Sequence, residues 1–330
     1  MKKEELLQGI QAGKYDEMLV KLYGQEALTA QKQRYSQAVE KFATLYPERG
    51  DMEVFSAPGR TEVCGNHTDH QHGKVLAAAI NLDAVAVVGF HEDGVIRLHS
   101  EGYPAITVEL SDLAINEAEH GTTKALIRGM AAQFADKGVK IGGFDAYVTS
   151  DVLGGSGLSS SAAFEVLIGT ILDIHYNKGA VGAVDIAKMG QFAENKYFGK
   201  NCGLMDQMVS SVGGFVFIDF ADPTKPVIDK HVCDFAAAGI SLCITDTKGS
   251  HADLTADYVS IPVEMKSVAA HFGKEVLHEV AEADFFAEIG ALRGKVSDRA
   301  ILRAAHFFAD DATVPQEVAA LDAKDFQKFF

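Results

Sequence analysis

The chain has 330 residues, 47% of them hydrophobic, with 30 basic against 46 acidic side chains and a formal net charge of −16. The length allows two domains, and the charge excludes nucleic acid or an anionic membrane surface as main partner, since both demand a basic face. A phosphate-bearing substrate must instead be held by a local site, with a divalent cation beside it.

The opening Met1-Lys2-Lys3-Glu4-Glu5-Leu6-Leu7 lacks the apolar core of a signal peptide, so the cytoplasm is the expected location. Residues 1–46 show helical spacing, closed by Tyr46-Pro47. A strand is predicted over Val54–Ala57. Residues 58–73 then crowd Arg, Asp, His and Gly together before the next strand, Ala84–Phe90. The apolar run Val75–Phe90 is interrupted by Asn81 and Asp83, so it is no membrane span. Strands Val95–His99 and Ile106–Leu110 come next, with the turn Glu92-Asp93-Gly94 ahead of the first.

A helix over Lys124–Phe134 and a strand over Phe144–Val152 lead into Gly154-Gly155-Ser156-Gly157-Leu158-Ser159-Ser160-Ser161, from which an apolar helix runs over 160–176. The glycines let the backbone approach a ligand, and the helix start presents unpaired N–H groups and a positive dipole end. Strand, glycine loop and helix make a phosphate site, with a serine as N-cap. The loop is not a Walker A motif, a dinucleotide G-x-G-x-x-G or a G-x-S-x-G elbow.

Helices are predicted over 183–198 and 204–212 and a strand over Phe215–Phe220. Asp222-Pro223-Thr224-Lys225-Pro226 is the boundary candidate, dividing the chain into 1–221 and 222–330. Beyond it come strands Val227–Cys233 and Ser241–Asp246 and helices over 253–271, 273–279, 282–288 and 296–308. Residues 315–330 read as an amphipathic helix ending on two phenylalanines, either a docked C-terminal helix or a domain cut short. Hairpins mixed with helices give an α+β class.

Three polar islands carry the chemistry. In the first, Arg60 offers a fixed planar cation for phosphate or carboxylate, and Asp69 an acceptor for sugar-like hydroxyls. His67, His70 and His72 lie close in the same island, a weak metal pattern on a loop. The second is the glycine loop. In the third, Cys202-Gly203 breaks a helix and sets Asp206 in the first turn of the next, where a carboxylate on location alone is a cap. The four cysteines, Cys64, Cys202, Cys233 and Cys243, include no C-x-x-C pair.

Together the islands resemble the GHMP family of small-molecule kinases and, within it, the galactokinase family. Gly59-Arg60…Gly65-Asn66-His67-Thr68-Asp69-His70…Gly73 is similar to the sugar signature G-R-x-N-x-I-G-E-H-T-D-Y-x-x-G. Gly155–Ala163 is similar to the phosphate motif G-x-G-L-S-S-S-A-A, and Ala193-Glu194-Asn195 with Cys202–Gln207 to A-E-x…C-G-I-M-D-Q. The resemblance implies transfer of the γ-phosphate of ATP to the anomeric hydroxyl of galactose, with Mg²⁺. It implies a two-domain fold, the first like ribosomal protein S5 domain 2 and the second ferredoxin-like.

The resemblance also assigns roles. Asp206 faces the anomeric hydroxyl and Arg60 neutralises charge between it and the γ-phosphate. Ser161 and Glu194 match magnesium-ligand positions. Asn66, His67, Asp69, Gly203 and Tyr258 match sugar-contact positions, and residues 154–161 the nucleotide loop. Departures from the family pattern are Asn66 for Glu, His70 for Tyr, Glu62 for Asn, Cys64 for Ile and Leu153 for a proline. Asn66 leaves another hexose or a sugar acid open as substrate. The family's glycine-rich G-G-G-F-G-G motif is not reached before Phe330, so the second domain is expected to be incomplete, and a non-catalytic sugar- and nucleotide-binding protein is a further alternative.

Overall fold

The computed structural model describes residues 1–245 and 255–330, which fall into two compact units interleaved along the chain. The first comprises Met1–Gly59, Ile80–Gly154 and Leu158–Ser211; the second comprises Arg60–Ala79, Gly155–Gly157 and Val212–Phe330. Two long strands, β1 (Glu53–Cys64) and β2 (Lys74–His91), run through both. Each is longer than its sequence pattern predicts. Pro58, Gly59 and Arg60, which read as the start of a loop, continue β1.

In the first unit the second half of β2 pairs antiparallel with β5 (Gly143–Ser150), in register Val88 to Ala146 and Phe90 to Phe144. β5 lies parallel to β3 (Val95–Ser100), which pairs antiparallel with β4 (Ile106–Glu109). Alternate residues of β2 feed two cores, as the period of a strand requires. Ala84, Ala86 and Val88 face α4 (Thr123–Asp136), α5 (Ser160–Asn177) and α6 (Ala183–Phe192) through Ile127, Met130, Leu167, Ile171 and Met189. Val85 and Val87 face α1 (Lys3–Gln11), α2 (Asp16–Tyr23) and α3 (Leu28–Leu45) through Ile10, Leu19, Tyr35 and Phe42. Cover on both faces explains why this strand is apolar almost throughout.

Asp83, which interrupts the run, is the anchor of α3. Its buried carboxylate accepts from Arg34 at 2.6 Å, from Tyr23 at 2.5 Å and from Ser56, while Arg34 Nη2 donates to the Asp83 carbonyl at 2.9 Å. Burial and the Asp83 charge push the Tyr23 phenol far up, so it stays a donor.

α6 does not continue to residue 198 as an α-helix. Ala193–Phe198 form a π-helical turn, closed by N–H groups of Gly199 and Lys200 on the Glu194 carbonyl. α7 (Met205–Val212) begins where the broken-helix reading places it.

The second unit extends β2 in the other direction. Its first half pairs antiparallel with β6 (Phe215–Asp219), in register Lys74 to Asp219, and β6 pairs with β7 (Val227–His231). Helices α8 (Thr255–His271), α9 (Glu282–Leu292) and α10 (Asp298–Ala323) close a core of Met265, Val268, Phe285, Leu292, Ala304 and Phe307. α10 replaces two predicted helices and runs straight through Pro315. Its C-terminal end and the short α11 (Phe326–Phe329) dock Val314, Leu321 and Phe329 on Leu76, Phe217 and Phe235.

No strand forms over 241–245, and residue 246 of the predicted strand lies outside the described residues, as do 253 and 254 of the helix predicted over 253–271. Within 273–279 only a 3₁₀ turn, Leu277–Glu279, is present.

Asp83→Ala would leave Arg34 only the more exposed Asp151 carboxylate, at 3.0 Å, and would remove the acceptor of Tyr23 and Ser56, which should cost about 3 kcal/mol of unfolding free energy by urea titration. The double replacement Asp83→Leu with Arg34→Met should cost less than the single one. A single variant within about 1 kcal/mol of the parent would show that the pair does not anchor α3.

Candidate active site

The glycine loop behaves as its composition requires. Gly155 and Gly157 sit at φ 74° and 78°, a left-handed conformation open to glycine, and residues 154–157 are exposed. Leu158 turns inward against Val152 and Ala163, pinning the loop to the start of α5. Ser159 is also left-handed, at φ 60°, and does not cap the helix with its side chain. Its hydroxyl donates instead to the Asp206 carboxylate. The first turn of α5 therefore has no side-chain cap from Ser159.

Behind the loop lies a buried polar cluster. Ser161 Oγ donates to Glu194 Oε1 at 3.1 Å, and Lys200 Nζ reaches the same oxygen at 3.2 Å. Gln207 Nε2 donates to Glu194 Oε2 at 2.9 Å and to Glu165 Oε2 at 3.0 Å. Glu165 and Gln207 are fully buried and Glu194 nearly so. Burial, then the neighbouring Glu194 charge, raise the Glu165 carboxyl well above the ordinary range. Burial pulls the Lys200 ammonium down, but the charge and hydrogen bond of Glu194 outweigh it and the net shift is upward. The Cys202 thiol is pushed up by burial and by the Glu194 charge. Asn195 Oδ1 accepts from the Cys202 N–H at 2.7 Å and holds the loop carrying Gly203.

The second unit carries polar groups of its own. Arg60, 7% exposed, donates from Nη1 to the Gly157 carbonyl at 2.6 Å. The signature loop folds into a 3₁₀ turn, Thr68–Gln71, flanked by left-handed His67 and His72. Gly65, at φ 89°, packs so closely that a Cβ would stand 2.4 Å from the Lys74 carbonyl. Glu62 Oε1 accepts from the His67 N–H at 2.6 Å, and burial raises the Glu62 carboxyl against the pull of His67 and Arg60. Asp69 is buried with His67 Nδ1 at 3.6 Å from its Oδ1, while Asn66 is exposed. Tyr258 stands on α8 with more than half its surface exposed.

Several residues in this site carry no motif of their own. The Asn66 N–H donates to Asp310 and the Lys74 N–H to Asp311 at 2.5 Å, so α10 clamps both ends of the loop. Gln71 Oε1 accepts from the Leu277 N–H at 3.1 Å. Paired aspartates within a helix are the one visible signal. Glu165 and Gln207 lie inside recognised motifs, but their bridging role appears only in three dimensions.

Oxygen donors, a buried carboxylate and an exposed lysine that can withdraw fit a small hard cation at Ser161 and Glu194. Nothing in the cluster demands a softer metal.

Residues 40–90 match the description "Galactokinase galactose-binding signature" and residues 125–214 "GHMP kinases N terminal domain". The galactokinase of Streptomyces coelicolor is 34% identical over 291 residues, covering 87% of this chain and 73% of that one. That of Actinobacillus pleuropneumoniae serotype 3 is 32% identical over 301 residues, covering 88% and 74%. The crystal structure of Lactococcus lactis galactokinase complexed with galactose shares the fold, with TM-score 0.72 at 24% identity over 88% of this chain and 75% of that one.

The raised Glu165 carboxyl has a consequence for stability. A group bound more tightly to its proton when folded adds stability below its unfolded value of 4.5, and that stability is lost as pH rises through the higher folded value. Glu165→Gln should therefore gain stability relative to the parent as pH climbs above 4.5, in paired urea titrations. A constant difference across that range would mean that Glu165 is ionised in the fold.

Proposed function

The chain belongs to the galactokinase family of GHMP kinases, and from that premise we propose how its residues carry out the reaction. The activity is ATP-dependent phosphorylation of galactose, on a two-domain α+β GHMP kinase fold. Residues 1–221 are read as the N-terminal kinase domain and 222–330 as the C-terminal one. The matched N-terminal region, which stops at residue 214, supports that division.

Asp206 accepts or orients the proton of the anomeric hydroxyl. The single observation that carries this role is its hydrogen bond from Ser159, which ties the carboxylate to the phosphate loop. A sugar hydroxyl is a poor nucleophile, and a positioned carboxylate contributes most of what this chemistry asks of an acid–base group. Residues 154–161 hold the nucleotide phosphates through backbone N–H groups. Arg60 supplies fixed positive charge, its guanidinium already oriented by the Gly157 carbonyl. Asn66, His67, Asp69, Gly203 and Tyr258 contact the sugar.

Ser161 Oγ and Glu194 Oε1 would hold Mg²⁺, with Lys200 giving up its place on that oxygen. Such an ion would supply positive charge against the nucleotide phosphates. Gln207 keeps the other Glu194 oxygen fixed. The cytoplasm is the proposed location, supported by four free thiols.

Asp206→Ala should lower kcat by about 10²–10⁴-fold. The lost Ser159 bond should cost only about 1 kcal/mol of stability. Galactose phosphorylation and thermal midpoint, measured together, check this. Unfolding with ordinary activity in the surviving fraction would leave Asp206 a structural cap.

Asn66 should tune the sugar. Its amide both donates and accepts, whereas the Glu of the family signature, when ionised, only accepts. Asn66→Glu should shift the order of kcat/KM across galactose, galacturonate, N-acetylgalactosamine and glucose, with galacturonate losing most. An unchanged order would remove Asn66 from the sugar site.

A further inference from the structure

We propose that His67, Asp69 and His70 form a binding site for one first-row divalent transition metal ion, Zn²⁺ above all. Occupation of that site and binding of the sugar exclude each other. The second clause rests on the assignment of His67 and Asp69 to the sugar; the first does not.

The ligand atoms of the three side chains all lie within 4.8 Å of one another. His67 Nδ1 and Asp69 Oδ1 are 3.6 Å apart. Adjacent ligands of a tetrahedral zinc stand ~3.3 Å apart, given bonds near 2.0 Å. Modest rotation of the imidazoles therefore closes the site. The side chains divide the labour suitably. Asp69 is 2% exposed and fixed, whereas His67 is 45% exposed and able to turn.

The platform beneath them is rigid. The left-handed residues His67 and His72 bracket the 3₁₀ turn, so that residues 67, 69 and 70 converge. Thr68 bonds the Gly65 and Lys74 carbonyls, and Gln71 takes the Leu277 N–H. Glu62 accepts from the His67 N–H and so holds the backbone beneath that imidazole.

Two imidazoles with a carboxylate suit zinc or cobalt, while Mg²⁺ prefers oxygen alone. Two of the departures from the sugar signature point the same way. His70 replaces a tyrosine and Glu62 an asparagine, each adding a ligating or anionic group at this one place. An ion bound to the Asp69 carboxylate takes the acceptor that a sugar hydroxyl would use.

The test is titration of the full chain with Co²⁺ in excess Mg²⁺, read by visible ligand-field absorption, with Zn²⁺ as competitor. One Co²⁺ per chain is expected. His70→Tyr, which restores the signature residue, should weaken binding by more than the ~10–100-fold that loss of an outer partner costs. His72→Asn, beside the cluster but outside it, should leave binding unchanged, and thermal midpoints establish that both variants fold. Galactose should raise the apparent Kd for Co²⁺ in proportion to its concentration. No saturable binding, or binding that His70→Tyr leaves intact, would overturn the site. Co²⁺ and galactose bound together without competition, by calorimetry, would overturn mutual exclusion. Failure of the metal-free chain to bind galactose would defeat the sugar assignment, leaving the metal site to be decided by the Co²⁺ titration.

Discussion

A carboxylate taken out of water must be handed a donor, and this acidic chain meets that demand repeatedly at the points where its elements join. Asp83 receives Arg34 and fastens α3 to β2. Asp145, inside β5, receives Arg49 at 2.5 Å and Arg97 at 3.3 Å. Glu119 takes both arms of Arg128, whose hydrogen bonds hold its carboxyl down to about 2. Asp173 closes the turn after α5 with the N–H groups of Val181 and Gly182 at 3.0 and 3.1 Å. Glu194 belongs to the same series, but one of its partners is an exposed lysine, Lys200, rather than a buried arginine.

How much of the molecule is legible in its sequence depends on how local the physics is. The glycine loop, its helix and the placement of Asp206 at a helix start depend on a handful of neighbouring residues, and the structure reproduces all three. β1 and β2 exceed their predicted lengths because polar residues, Arg60 above all, sit within a strand when a partner waits for them. Pro315 reads as a stop, yet Val314 and Leu321 are buried on either side of it, and that packing carries α10 through. The hold of Asp310 and Asp311 on the signature loop spans 244 and 237 residues, beyond any pattern in the sequence. Ser159 departs from its expected role for a related reason. A serine at a helix start is ordinarily a cap, and only the fold brings Asp206 to compete for its hydroxyl.

The signature loop shows how such distant contacts serve chemistry. Its residues form no long helix or strand, and a free loop of this composition would sample many conformations. Backbone N–H groups at Asn66 and Lys74 are spoken for by one helix, and the Gln71 side chain reaches the turn before α9. The backbone beneath residues 66–74 is thereby committed to one course. Preorganisation of this kind lowers the entropy lost on binding.

The π-helical turn at Ala193–Phe198 gives the chain an unusual tolerance of one change in length. An α-helix turns by about 100° per residue, so a π turn is an α-helix carrying one surplus residue. The wider turn spreads that residue over the same rotation, so losing any single residue between 195 and 198 would let the segment relax to ordinary helix with the downstream chain keeping nearly its direction. Lys200, Cys202 and the Asn195 contact that sets Gly203 all lie downstream of, or within, that surplus. A one-codon deletion here would take out the surplus and leave the approach to Glu194 nearly as it is, whereas a second would rotate it by about 100°. Descendants of this sequence should therefore lose one residue in this stretch far more readily than two.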